Sequence, residues 1–153
     1  MNDEKHIQRC IDLAWEAHKE DKNPFASIIV DDKGEVISEQ KNGDKNHITK
    51  HAEILVLEET AKKLKTQDLS NCTLYSNCEP CPMCSFMIRE YKIKRVVFSV
   101  FSPIMGGYSR WPILQDKEIS KLQPPFSEAP EIKGGILQEK AKKVFLEEGW
   151  TMI

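Results

Sequence analysis

The hydrophobic positions of the chain follow two periods, one typical of helices and one typical of strands. Over residues 4–20 the apolar side chains recur at helical intervals between polar ones, which predicts an amphipathic first helix. Residues 25–31 are instead a continuous apolar run rich in β-branched side chains, and such a run indicates a buried strand. A turn at residues 32–34 and an alternating segment at residues 35–39 predict that these strands form a hairpin.

The remaining pattern alternates helices and strands. These segments are a helix at residues 52–64, a strand at 71–76, a helix at 81–91, a strand at 95–100, a short edge strand at 132–134 and a final helix at 137–148. Residues 101–130 are irregular and hold five of the eight prolines, with one short helix expected near residues 112–122. Strands that alternate with helices after a hairpin predict an α/β domain with three α/β/α layers around a central, mixed, five-stranded sheet.

Length and composition are those of one ordinary domain spanning residues 1–153. The charged N-terminus has no apolar segment behind it, so a signal peptide is not expected. The strongest apolar runs, residues 25–30 and 96–101, are far shorter than the roughly 20 residues that cross a bilayer. We therefore expect a cytoplasmic protein without a membrane segment.

The charges of the chain nearly cancel. The sequence has 22 Lys and Arg against 24 Asp and Glu, which gives a net charge of −2. A chain with this balance has no overall field that gathers polyanions. Nucleic acid is therefore a disfavoured partner, although a local basic patch remains compatible with this composition.

Three of the five cysteines lie within seven residues, at Cys78, Cys81 and Cys84. In a reducing compartment such spacing indicates metal binding or redox chemistry before disulfides. Cys10 and Cys72 stand alone in apolar segments, where a free cysteine packs as a small hydrophobic side chain. We expect these two to be inert core thiols.

The predicted helix starts at His51 and Cys81 carry candidate metal ligands. Cys81 and Cys84 are three residues apart, so in a first helical turn their sulfur atoms point to one side. A helix N-terminus also lowers a thiol pKa. Two thiolates and the imidazole of His51 make three tetrahedral positions around Zn²⁺, and the fourth stays free for water, as in catalytic zinc sites.

Glu53 favours a catalytic site over a structural one. It follows His51 by two residues, where a carboxylate at the start of a helix can lie beside the bound water without ligating the metal. Zinc lowers the pKa of that water towards about 7. A neighbouring carboxylate can move its proton to a ring nitrogen and then to a leaving amine. This machinery is suited to hydrolysing an amidine C–NH₂ group to a carbonyl.

A closed zinc site is the main alternative interpretation. Cys78 precedes Cys81 with the same spacing that separates Cys81 from Cys84, so it offers a fourth ligand for a structural zinc-binding module. Two prolines, Pro80 and Pro82, stiffen this turn, and the large core expected of the chain would not need a metal to fold. An iron–sulfur cluster is a weaker alternative because no fourth cysteine follows at suitable spacing.

The other histidines are expected to be peripheral. His6 and His18 lie on a helix with a surface pattern and are expected to be exposed to solvent. His47 lies in a polar loop four residues before His51, either in solvent or at the mouth of a pocket.

The two metal motifs resemble the H-x-E…P-C-x-x-C signature of the cytidine-deaminase-like superfamily. Further segments follow in family order, namely Asn23-Pro24-Phe25-Ala26, Asn42, Thr73-Leu74-Tyr75 and Arg95-Val96-Val97-Phe98. The resemblance covers residues 4–101 well and the C-terminal region weakly. It is nearest to guanine-deaminase-like and tRNA-adenosine-deaminase-like members.

This resemblance implies a zinc-dependent nucleobase or nucleoside deaminase with the fold predicted above. His51, Cys81 and Cys84 would hold the zinc and Glu53 would carry protons. Members of the superfamily assemble into dimers or larger oligomers, so a homodimer is expected.

The resemblance also implies substrate contacts at Asn42, Phe25 and Ala52, although Asn42 could instead serve only a local turn. Beyond the fourth strand, residues 102–112 contain a bulky Trp111 with Tyr108 and Met105, where tRNA-acting members carry small and basic residues. Such side chains would roof a small planar ligand and obstruct a polynucleotide.

The bulky segment favours a small free substrate. The Pro24-Phe25 entry and the run from Cys78 to Cys84 most resemble guanine-deaminase-like enzymes, which implies guanine or a related purine as the substrate. An adenosine in tRNA, cytosine and other amino-heterocycles stay open alternatives. Large apolar groups at residues 150–153 could close the site of the same chain or of a partner.

Overall fold

A mixed β-sheet forms the centre of the molecule, which is seen in a computed structural model that describes residues 2–122, 126, 128–151 and 153. Its five strands within these residues are β1 (Ala26–Val30), β2 (Val36–Lys41), β3 (Thr73–Cys78), β4 (Arg95–Val100) and β5 (Glu131–Lys133). The helices are α1 (Asp3–Lys19), α2 (Ala52–Leu64), α3 (Pro82–Glu90) and α4 (Gln138–Glu147). The order of these elements is the one that the hydrophobic pattern predicts.

The strands lie in the order β2-β1-β3-β4-β5. β1 pairs antiparallel with both β2 and β3, whereas β4 pairs parallel with β3 and β5. Tyr75 of β3 lies between Ile28 of β1 and Val97 of β4, and this register places the ends of β3 and β4 side by side. The predicted mixed five-stranded sheet is confirmed.

Alternate side chains of the strands face opposite helical layers, because successive residues of a strand point to opposite sides. Ile28, Val30, Tyr75 and Val97 pack with residues of α1 and α4 in one core. Their neighbours face α2 and α3 in a second core and include Ile29, Leu74, Val96 and Phe98. Each such fully buried side chain stabilises the fold by about 1.5–3 kcal/mol. The α/β/α arrangement is confirmed.

The predicted helix at residues 112–122 is wrong except for a 3₁₀ turn at Ile119–Lys121. The cause is the buried Arg89 of α3, whose guanidinium donates hydrogen bonds to the backbone oxygens of Ile113, Leu114 and Asp116. Carbonyl groups turned towards this guanidinium do not accept the bonds of a regular helix. The side chain of Arg89 thereby fixes an irregular segment against α3.

His6 is buried, with 5% of its surface exposed, so the prediction of an exposed side chain is wrong. Its ring packs on the ring of Tyr75 with centroids 4.8 Å apart, because the first turn of α1 leans on β3. Burial lowers the pKa of His6 below its usual value. His18 is half-buried, and its Nδ1 lies 2.8 Å from the carboxylate of Glu148.

The structure contains no helix, among the residues it describes, that is both long and apolar enough to span a bilayer.

The two isolated cysteines, Cys10 and Cys72, are fully buried as expected. All five cysteines are free thiols.

Asp3 ties the first helix to the sheet. Its carboxylate accepts two hydrogen bonds of 2.8 Å from Arg95 and one from the hydroxyl of Tyr75. The hydrogen bonds from Arg95 hold the pKa of Asp3 well below its usual range. The ionised form is thus the one that the folded state favours.

We expect Asp3→Asn to lower the free energy of unfolding by about 2 kcal/mol at pH 7. Because the folded pKa of Asp3 is depressed, this contribution is complete above the unfolded pKa of about 4 and is lost as the pH falls below it. The difference in free energy of unfolding between the variant and the wild type, measured by urea titration, should therefore decrease as the pH falls from about 5 to roughly 2. The exposed Asp12 of the same helix gives a control, and a gap in Asp12→Asn of the same size would contradict the assignment.

Candidate active site

The N-termini of two helices meet near the start of β1 and the C-terminal end of β3, and they bring the predicted metal ligands together. His51 is the N-cap residue of α2 and Cys81 is the N-cap residue of α3, both with extended backbone. Pro82 follows at the first helical position, where its fixed φ and missing N–H suit a helix start. Cys84 lies in the same first turn and is fully buried.

The three side chains fit a zinc ion. The Nδ1 atom of His51 lies 3.6 Å from the Sγ atom of Cys81 and 3.4 Å from that of Cys84. The three donor atoms all lie within 4.8 Å of one another. A tetrahedral ion with Zn–S and Zn–N bonds of about 2.3 and 2.0 Å sets such atoms about 3.5 Å apart. The donor set and its spacing therefore match a zinc centre with three protein ligands.

The two thiols of this group have pKa values shifted in opposite directions. Hydrogen bonds from Cys84 and His51 lower the pKa of Cys81 to about 4. The same contact with Cys81, together with burial, raises the pKa of Cys84 well above its usual value. Hydrogen bonding to Cys81 raises the pKa of His51 in turn. The Cys81 thiol is thus held in the thiolate form, which is the form that binds a metal.

Cys78 stands apart from this group. The strand β3 continues to Cys78, two residues beyond its predicted end, and Cys78 pairs there with Val100 of β4. Burial raises the pKa of its thiol well above the usual value. Cys78 borders the cavity next to the ligands but is not among the side chains within 4.8 Å of one another. A closed four-ligand centre is therefore not the arrangement found here.

Glu53 lies beside the metal ligands and is oriented by two contacts. Its Oε1 accepts a hydrogen bond of 2.9 Å from the hydroxyl of Ser76, and its Oε2 lies 3.6 Å from the Sγ of Cys84. Only 4% of Glu53 is exposed. Burial, together with the nearby Cys81 thiolate, raises the pKa of Glu53. A raised pKa strengthens this carboxylate as a proton acceptor.

A cavity of about 200 Å³ opens in front of His51, Glu53 and Cys81. Its walls are largely apolar, and the remaining lining includes Phe25, Ile104, Met105, Trp150 and Ile153, with polar groups from Asn23, Asn42 and Ser102. The C-terminal segment therefore borders the cavity of its own chain. Of the four predicted closing residues, Met152 lies outside the described residues.

Phe25 and Trp150 form one aromatic wall of this cavity. Their ring centroids are 5.5 Å apart, and both rings pack against Phe145 of α4. The backbone N–H of Trp150 donates to the carbonyl of Phe145, which folds the chain back after α4. The wall thus combines the start of β1 with the end of the chain.

Asn42 is nearly buried, borders the cavity and makes a local structural contact. Its Oδ1 accepts a hydrogen bond of 2.7 Å from the backbone N–H of Ala52, so it stabilises the first turn of α2 beside His51. This bond leaves the side-chain Nδ2 group as a donor for a ligand in the cavity. Ala52 itself is fully buried and contributes this backbone bond rather than a cavity surface.

Trp111 does not line the cavity, which corrects the expectation that it roofs the site. Its side chain is 38% exposed, and the guanidinium of Arg110 lies 5.0 Å from its ring. Tyr108 turns inward and packs on Phe98. From this segment Met105 reaches the cavity, because the chain turns sharply after it.

Two polar residues of β3 support the site and were missed in the sequence. Ser76 holds Glu53, as described above. Asn77 accepts a hydrogen bond from the N–H of Ala26 and donates one to the carbonyl of Pro24, which fixes the backbone on both sides of Phe25. The available signal was a pair of polar residues in a strand that is buried along its whole length.

A second recess of about 210 Å³ adjoins the cavity and shares Asn23, Asn42 and His51 with it. Its other lining comes from the polar loop before α2, including Lys50 and His47. His47 therefore lies at the mouth of the site rather than away from it.

Comparison with known proteins agrees with this site. A family model described as the cytidine and deoxycytidylate deaminase zinc-binding region matches residues 1–100, which include the three ligands and Glu53. The tRNA-specific adenosine deaminase of Bacillus subtilis is 32% identical over 142 residues, 90% of this chain and 83% of that protein. The guanine deaminase of Bacillus subtilis is 36% identical over 102 residues, 65% of each chain. A structure from a study of tRNA:A34 deaminases superposes with a TM-score of 0.74 at 25% identity, covering 92% of this chain and 98% of that one.

Proposed function

The chain belongs to the cytidine and deoxycytidylate deaminase zinc-binding family, and we propose that it is a hydrolase that deaminates an amino-substituted nucleobase or nucleoside. The observation that carries the proposal is the cluster of His51, Cys81 and Cys84 with the buried Glu53 beside it. The reaction consumes water, replaces a ring C–NH₂ group by a carbonyl and releases ammonia.

We propose that His51, Cys81 and Cys84 hold the zinc of this family. When bound, the ion would supply a Lewis acid that lowers the pKa of a water molecule. Glu53 would take up a proton at its buried carboxylate and give it to the ring nitrogen next to the reacting carbon. A second proton passes through the same carboxylate to the leaving amine. Ser76 keeps Oε1 of Glu53 in place during both transfers.

The cavity supports a small planar substrate, with guanine or a related purine favoured. A volume of about 200 Å³ accommodates one base, and Phe25 with Trp150 offers an aromatic surface on which it can pack. The Nδ2 group of Asn42 can donate to a ring nitrogen or carbonyl of the base. The guanine deaminase relative, at 36% identity, supports the same choice.

An adenosine in tRNA is the second candidate. The tRNA-specific relative matches a larger share of this chain, 90% against 65% for the guanine deaminase. The recess that adjoins the cavity offers room for the sugar of a nucleoside, with Lys50 and His47 near a following phosphate. Against this stands the net charge of −2, which gives no overall attraction for RNA.

Ammonia release from a panel of substrates tests the proposal. The panel contains guanine, adenine, cytosine, their nucleosides and an anticodon stem-loop, each with the zinc-loaded protein. We expect guanine or another free aminopurine to be turned over fastest. Turnover of the stem-loop alone would select the RNA candidate, and turnover of cytosine alone would select a pyrimidine substrate. If no member of the panel releases ammonia, the protein would be a zinc-binding module without deaminase activity.

Trp150→Ala should raise KM for the preferred base about tenfold, because the variant removes half of the aromatic wall. Steady-state kinetics give KM and kcat separately. Trp111→Ala removes a tryptophan that lies outside the cavity, and its KM should stay within about twofold of wild type. The opposite pattern would show that Trp111 and not Trp150 contacts the substrate.

We also propose that the protein is a cytoplasmic homodimer. The free thiols suit a reducing compartment. Exposed apolar side chains on and beside α3, Phe86 and Leu122 among them, offer a surface for a second copy. Light scattering coupled to gel filtration measures the mass, and a monomer at micromolar concentration would contradict the assembly.

A further inference from the structure

Glu79 is a buried acidic residue that the chemistry above does not use. It lies between β3 and α3, two residues before Cys81, and 4% of its surface is exposed. Its Oε1 accepts a hydrogen bond of 3.1 Å from the backbone N–H of Ser102. Its Oε2 accepts bonds of 3.1 and 2.8 Å from the N–H groups of Tyr108 and Ser109. The hydroxyl of Ser109 donates a further bond to Oε1.

These bonds require a carboxylate. Four donors converge on two oxygen atoms, and each oxygen of a carboxylate can accept two bonds. A glutamine of the same shape has only one acceptor oxygen, and its amide hydrogens would meet donor groups on the other side. A buried donor without an acceptor is unfavourable, so the substitution cannot preserve the contact.

The segment from Ser102 to Ser109 packs closely against the turn that contains Cys81. A Cβ atom on Gly106 would lie 1.5 Å from Oε2 of Glu79, so no larger residue fits there without movement. The N–H of Gly107 donates to the carbonyl of Pro80, directly before Cys81. The segment and the metal-binding turn are thereby joined at neighbouring points.

Between these anchors the segment forms part of the cavity. Ser102, Ile104 and Met105 all border it. Ile104 and Met105 are half exposed, so packing alone fixes them loosely. The backbone bonds to Glu79, together with the bond from Gly107 to Pro80, therefore hold these two residues at their distance from His51 and Glu53.

We propose that Glu79 is a positioning residue that holds the segment 102–109 as a wall of the substrate cavity. Its carboxylate acts through Ile104 and Met105, so it determines how tightly a base binds and not how fast the bound base reacts. This proposal rests on the deaminase function proposed above and adds to it the residue that sets the width of the cavity.

Glu79→Gln tests this proposal, with Glu90→Gln as the control, since Glu90 is the exposed last residue of the following helix α3. For the preferred base we expect KM to rise about tenfold or more and kcat to change less than threefold. Zinc content should stay at the wild-type value. The control should match wild type in all three quantities.

Amide hydrogen exchange measures the backbone bonds to Glu79 without requiring substrate turnover. In wild type the amides of Ser102, Tyr108 and Ser109 should be protected, and in Glu79→Gln they should exchange at least tenfold faster. Ser109→Ala removes only the hydroxyl contact and should give smaller changes in the same direction. It serves in place of Glu79→Gln if that variant does not fold.

Unchanged exchange in both variants would overturn the proposal, as would faster exchange with unchanged KM. A fall in kcat at constant KM would also overturn it, because Glu79 would then act on the chemical step. Wild-type protein that binds zinc but deaminates no base would end the proposed function instead. In that case the exchange rates still decide whether Glu79 holds the segment.

Discussion

Glu53→Gln is expected to lower kcat about a thousandfold while the variant keeps its fold and its zinc. The amide has nearly the shape of the carboxylate and can still contact Ser76, but it cannot take a proton from water. Burial raises the pKa of the Glu53 carboxyl, which favours its holding a proton between the two transfers. Ammonia release under saturating substrate measures the loss, and metal analysis measures zinc per chain.

A conservative variant beside Glu53 provides the comparison. Ser76→Ala removes the hydrogen bond to Oε1 and should lower kcat about tenfold, far less than Glu53→Gln does. If Glu53→Gln retained near-full activity, the proton-carrying role would be refuted. If it lost zinc, Glu53 would have to be reconsidered as a ligand.

Cys84→Ser is expected to lose zinc, and with it activity and thermal stability. The serine hydroxyl is not ionised at neutral pH and is a poor ligand for zinc. The two remaining ligands should hold the ion much more weakly, and thermal stability should fall with it because metal binding contributes directly to folding. Zinc per chain after dialysis gives the first measurement, and Tm with and without added zinc gives the second.

Cys78→Ala is the matched control for this variant. Cys78 is also buried and also borders the cavity, but it lies in β3 outside the three-ligand group. It should therefore retain the wild-type zinc content. Loss of zinc from Cys78→Ala would show a fourth protein ligand and would favour a structural centre over a catalytic one.

The helices, the strands and the Cys81–Cys84 pair could be predicted because they depend on local patterns, whereas the resemblance of the two motifs to a known signature brought His51 into the same cluster. His51, Cys81 and Cys84 lie at helix starts, and their spacing along the chain determines which side chains share a face. The strand order could be inferred only as a mixed sheet, and the register of β3 with β4 needed the structure. That register is what separates Cys78 from the other two cysteines.

Contacts between segments that are distant in sequence could not be predicted from local patterns. Trp111 is near the site in sequence but faces solvent, whereas Trp150 reaches the cavity from the end of the chain. His6 has a surface pattern on its own helix, yet the sheet beneath it supplies the ring of Tyr75. The neighbours that decide the positions of Trp150 and His6 are Phe25 and Tyr75, each more than 60 residues away, so no local period reports them.

The chemical groups and the cavity walls come from different stretches of the chain. The three candidate metal ligands and Glu53, the proposed proton carrier, lie within residues 51–84 at the starts of two helices. The walls are supplied by the start of β1, by residues 102–105 and by the C-terminal segment. Mutations in the walls can therefore change which base is accepted while the reactive groups keep their geometry. This separation makes the protein a tractable scaffold for directed changes of specificity, with libraries confined to the walls and residues 51–84 left unaltered.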